Sequence, residues 1–152
     1  MLELLAIQYE KQKKLEVSIS YMSSAMKIRE RTVSRLHPTY QDDLWSLARL
    51  HTLNGDSEKA RSSVLQRLAI VAVQHGTKHE EYARCLLDAA GVIGANKEVA
   101  KAKALVIHAK SILKESGQET SSHYSMAEKM LVPLGKIEAD RSVLDMLSSI
   151  EQ

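Results

Sequence analysis

Residues 37–48 read HPTYQDDLWSLA, and residues 79–90 read HEEYARCLLDAA. The two stretches lie 42 positions apart and share His, Tyr, Leu and Ala at equivalent places. The same shift aligns Ala6 with Ala48 and Ala90, Ile28 with Ile70 and Ile112, and Tyr40 with Tyr82 and Tyr124. Pairs follow at the same spacing, among them Leu5 with Leu47, Leu44 with Leu86, Asn54 with Asn96, and Ala60 with Ala102. A fixed period of this length is the signature of a repeat architecture, in which each unit is one supersecondary element.

Within a unit the pattern is two helices. His37-Pro38-Thr39 interrupts the chain, and Thr39 is the expected cap of a helix running to about Asn54. Leu44, Leu47, Ala48 and His51 recur at three- and four-residue spacing and mark its buried stripe. Asn54-Gly55 supplies a stop, and Asp56 or Ser57 starts a second helix with Ala60, Val64, Leu68 and Val71 on one face. The third unit repeats the plan with helices near 80–95 and 98–116, and the first has helices near 2–12 and 15–34. The fourth is degenerate, with helices near 121–132 and 137–150 around Pro133 and Gly135. Unit boundaries fall at about 1–36, 37–78, 79–119 and 120–152, together one domain. The pattern opens inside a helix, as a piece of a longer repeat array would.

Composition agrees with an all-α chain. Six Gly and two Pro among 152 residues leave few breaks, and the absence of Phe leaves a core of Leu, Ile, Val, Ala and Met. Small residues at 6, 48 and 90, and at 60 and 102, suit close helix crossings, where a large side chain would force the axes apart. A hairpin with one apolar face cannot bury it alone, so successive hairpins stack.

The balance of 21 basic and 19 acidic residues signals neither nucleic acid nor an anionic membrane. No apolar run is long enough to insert in a bilayer. Cys85 is the only cysteine, which precludes an internal disulfide and fits a reducing, intracellular location, the cytoplasm or an organelle. No cofactor-binding glycine loop or nucleophile motif occurs. His75 and His79 are four apart, but Gly76 lies between them and no third metal ligand is near in sequence. The expectation is a chain without catalysis, cofactor or metal. Cys85 reads as a small buried hydrophobe, and the three periodic tyrosines as packing residues.

The order Leu44, Leu47-Ala48, Ala60, Val64, copied by Leu86, Ala89-Ala90, Ala102, Val106, resembles the tetratricopeptide repeat (TPR). The 42-residue period and the string AMKIRERTVSRLHP at 25–38 more specifically resemble the kinesin light chain type. The resemblance implies a right-handed α-solenoid of about four antiparallel helix pairs, the last degenerate. It also implies a concave face lined by the first helix of each unit, where a protein or peptide partner would lie. Arg67 and His51 depart from the pattern, standing where a small residue and an aromatic are usual. The kinesin light chain members carry consecutive asparagines before the Leu-Ala pair, and Trp45-Ser46 stand there instead.

On that frame the candidate partner-binding residues are Ile7 and Lys11 in the first unit, Trp45, Ser46, Arg49 and Leu53 in the second, and Arg84, Leu87 and Asp88 in the third. Trp and Arg are the types most enriched among interface hot spots, and a true Trp anchor is worth roughly 2 kcal/mol or more. The arginines would pair with a carboxylate on the partner. Against this stands a purely structural role, with Trp45 packed on a neighbouring helix and Arg49 and Arg84 bridging acidic neighbours. The functional expectation is an adaptor or scaffold that binds a peptide or helix. The rival is a structural or assembly segment that touches partners, or another copy of itself, through its end repeats or convex face.

Overall fold

The computed structural model describes residues 1–150, with the Ile150 side chain excepted. Among them are eight α-helices and no strand: α1 Leu2–Lys11, α2 Leu15–Thr32, α3 Pro38–Asn54, α4 Ser57–His75, α5 Glu80–Ala95, α6 Val99–Glu115, α7 Ser122–Leu131 and α8 Arg141–Ile150. None is long and apolar enough to cross a membrane. The chain divides into two compact units, Met1–Ile70 and Val71–Gln152, with the boundary inside α4.

The 42-residue period is written into the backbone as well as the side chains. Lys13, Gly55 and Lys97 all adopt left-handed backbone, with φ of 59°, 83° and 67°. Each closes the first helix of its unit. The N–H groups of Lys14, Asp56 and Glu98 donate back to the carbonyls of Tyr9, His51 and Ile93 at 3.0, 2.8 and 3.2 Å. This six-to-one bond satisfies carbonyls left open at a helix end. Of these three closures only the second uses glycine for the left-handed residue; the two lysines hold a conformation that costs a side-chain-bearing residue roughly 1–2 kcal/mol.

Helix starts repeat too. His37, His79 and Ser121 are the N-caps of α3, α5 and α7. The Nδ1 atoms of His37 and His79 accept the N–H groups of Thr39 and Glu81 at 3.3 and 3.1 Å. Ser121 Oγ accepts from the Tyr124 N–H at 3.1 Å. The cap of α3 is therefore His37 rather than Thr39. Pro38 occupies the first turn, where its missing N–H costs nothing, and Thr39 lies inside the helix.

In the first unit α1 packs on α2, and α2 on α3. Their core is Ala6, Met22, Leu47 and Leu50, flanked by Leu15, Ile19, Tyr21 and Met26. The small positions are buried as their spacing requires: Ala6, Ala48 and Ala60 expose 1% or less. Ser18 stands one period before Ala60 and is equally buried. Its hydroxyl donates to the Ala6 carbonyl at 2.7 Å, binding the α1–α2 crossing directly.

In the second unit α5 packs on α6, and both α7 and α8 pack against α6. Leu86, Ala89, Ala90, Ala102, Val106 and Ala109 are all buried. The degenerate end departs from the expected hairpin. The last helix starts at Arg141 instead of near 137, because residues 132–140 are held as an irregular strap. Lys103 Nζ donates to the carbonyls of Gly135 and Ile137 at 3.3 and 2.5 Å, and the Asp140 N–H donates to the Ala100 carbonyl at 3.1 Å. Pro133 cannot continue α7, so the strap begins there.

Tyr40 and Tyr82 are buried, as packing residues should be, and Cys85 is buried on α5. Tyr124 is half-buried, with the Lys110 ammonium 5.1 Å from its ring centroid.

Candidate functional site in the first unit

A cavity of about 280 Å³ opens where α1, α2 and α3 meet. Its apolar lining includes Ala6 and Ile7 from α1, Met22 from α2 and Leu50 from α3. Helical spacing explains the convergence. Ile7 follows the buried Ala6 on α1, while Ser46 and Arg49 flank the buried Leu47-Ala48 pair on α3. Three of the residues picked out by spacing, Ile7, Ser46 and Arg49, thus line one cavity.

Charge around the cavity is organised by two arginines. Arg29 Nη1 donates to both carboxylate oxygens of Asp43, and Nη2 donates to Glu3. Arg49 holds both oxygens of Glu10, with the Nη2–Oε2 bond at 2.8 Å. The hydrogen bonds they donate to Asp43 and Glu10 hold the Arg29 and Arg49 guanidinium groups above their ordinary pKa. Backbone hydrogen bonding at the start of α1 holds Glu3 below the usual carboxylate range. Burial pushes Asp43 up, and the Arg29 fork only partly opposes it.

Trp45 does not line this cavity. It is half-buried, with the guanidinium carbon of Arg67 on α4 lying 5.7 Å from its ring centroid. That stacking gives the unusual Arg67 a structural partner: the repeat's customary small residue is replaced by a cation that covers an aromatic face. Lys11 and Leu53 are exposed and also lie outside the cavity lining.

In the second unit Leu87 is 2% exposed, so it is a core residue and offers no surface to a partner. Arg84 and Asp88 are half-buried. Arg84 forms a two-point bond to Glu81, with Nη2–Oε2 at 2.7 Å and Nε–Oε2 at 3.0 Å. Partial burial pushes the Glu81 carboxyl up, but the Arg84 bond and charge, with His75 and His123 nearby, more than offset this and hold it below its ordinary value. A depressed folded pKa contributes stability that is complete above the unfolded value, about 4.3 for glutamate, and is lost as pH falls through the folded one. Glu81→Gln is therefore expected to make the fall in urea midpoint between about pH 5 and pH 3 shallower than in the wild type. An unchanged slope would show that the Arg84 pair makes no net contribution.

His75 and His79 stack with ring centroids 5.0 Å apart, across the Gly76 turn. Among the described residues no group of three His, Cys, Asp or Glu side chains is placed to hold a metal ion. A second cavity, of about 300 Å³, lies in the second unit between Ala90, Gly94, Val106 and Leu134, and its lining carries no charged side chain.

Consecutive helices of period 42, small-residue crossings and a repeated left-handed closure define a TPR-like helical-repeat fold. A solved structure of TPR-like repeats from a protein described as a kinesin light chain of Podosopora anserina is similar over 98% of this chain and 71% of its own, with a TM-score of 0.69 at 18% identity. A single-residue variant of that protein matches over the same shares with a TM-score of 0.70, also at 18% identity. At this identity the likeness establishes the fold. No family model matches the sequence, and no curated protein matches it significantly.

Proposed function

We propose that the chain is a non-catalytic protein-interaction module, an adaptor or scaffold, that holds an extended or helical segment of a partner over the α1–α2–α3 cavity. The observation that carries this reading is the convergence of Ile7, Ser46 and Arg49, from the first helices of two consecutive repeats, on one cavity with an apolar floor. Ile7 is 44% exposed there, an aliphatic surface without a cover of its own. The TPR-like fold supports the same reading, since stacked helical repeats present extended surfaces suited to binding a chain segment.

The test is a displayed random-peptide selection on the wild-type protein, with affinities of the selected peptides measured by biolayer interferometry. An Ile7→Lys/Ser46→Trp variant, which places a cation and a bulky ring at partly exposed lining positions, is expected to bind those peptides at least about tenfold more weakly. Its thermal midpoint should stay within a few degrees of wild type. Undiminished binding by this variant, or a selection that yields no peptide, overturns the proposal.

A further inference from the structure

We infer that the α1–α2–α3 cavity takes a lysine or arginine side chain of the bound segment; this rests on the peptide-binding reading above and names the chemistry of its anchor. Four carboxylates line the cavity, those of Glu3, Glu10, Asp42 and Asp43, against two cations, Arg29 and Arg49. Both guanidinium forks are already engaged within the chain, Arg29 by Asp43 and Glu3, and Arg49 by Glu10. They are therefore poor candidates for grasping a carboxylate on a partner, which would first have to displace a bidentate intramolecular bond. The lining keeps two negative charges beyond its own cations.

Asp42 is where that excess is accessible. It is exposed, and among the described residues it makes no hydrogen bond or ion pair. It follows on α3 directly before Asp43, whose carboxylate is spent on Arg29. The buried side chains of Ala6, Met22 and Leu50 line the same cavity. A long cationic side chain matches both features, its methylene stem on the apolar floor and its head at the carboxylate rim. A glutamate or aspartate would meet a rim of its own sign. A purely aliphatic residue would leave the Asp42 charge facing it without a partner.

The experiment uses the same peptide selection, with two further variants at the exposed Asp42. The selected sequences are expected to be enriched in Lys or Arg at one fixed position. Replacing that residue by norleucine should weaken binding to wild type about tenfold, Asp42→Asn should weaken it several-fold, and Asp42→Lys should abolish it. The affinity should also fall as sodium chloride is raised from 50 to about 500 mM. Peptides that lose binding to the Ile7→Lys/Ser46→Trp variant but lack a fixed cation, or ignore Asp42→Lys, overturn the cationic anchor and leave the peptide-binding reading standing. Peptides that bind the cavity variant as well as wild type overturn both.

Discussion

Leu86→Ala is expected to lower the unfolding free energy by about 3–4 kcal/mol. Leu86 is 0% exposed on α5, whose neighbours Ala83, Leu87, Ala89 and Ala90 are also buried. Trimming it removes the transfer energy of its methyl groups and leaves a hole that flanking alanines are too short to fill. The extensive α5–α6 packing should restrict collapse around the gap, which puts the cost in the upper part of the usual range. Urea unfolding monitored at 25 °C would read this as a lower midpoint with an unchanged slope. A loss below about 1 kcal/mol would mean that the repeat core relaxes far more freely than a close-packed crossing should.

Ala48→Leu tests the same core from the opposite direction, by overfilling it, and should cost about 3 kcal/mol. Ala48 is 0% exposed, as is Ala60, the small residue of the following helix. Ala48 lines neither of the cavities described above. The added atoms must push helix axes apart or adopt an unfavourable rotamer. Ala48→Gly is the useful control, because it adds no volume and should cost only about 1 kcal/mol through helix propensity. If leucine were tolerated as well as glycine, the small-residue positions would be accidents of composition and not spacing elements of the repeat. Denaturant midpoints of both variants decide the matter.

The core was legible in the sequence because its signals are local or strictly periodic. Ala6, Ala48 and Ala90 repeat at one shift, and burial follows. Ser18 belongs to the same series as Ala60 and Ala102, yet an alanine-based alignment passes over it because its identity differs while its size does not. Histidine caps were hidden for a chemical reason. Imidazole can accept a helix N–H only through an unprotonated Nδ1, so it lacks the obvious capping signature of Ser, Thr, Asp or Asn.

The candidate site was legible only in outline. Ile7, Ser46 and Arg49 could be placed from repeat register, but the ion pairs that set the cavity's charge could not. Glu10 and Arg49 lie 39 residues apart, and Glu3 and Arg29 lie 26 apart. Pairs at such separations leave no spacing pattern on a single helix, where only positions three or four apart face each other. The loss of Leu87 from the accessible set has a related cause. Both flanks of the Leu86–Ala90 stripe on α5, with Cys85, Leu87 and Val92, are also buried, so this helix is buried too widely for a single-stripe reading.

The stacking of Arg67 on Trp45 has an optical consequence. Trp45 is the only tryptophan in the chain, and both partners belong to Met1–Ile70. Its indole emission therefore originates in that unit alone, from a ring whose surroundings change when the guanidinium departs. Far-ultraviolet circular dichroism, by contrast, sums over the helices of both units. The native chain thus carries two spectroscopic channels of different scope, and an offset between their melting curves would separate the first unit's unfolding from that of the remainder without any label.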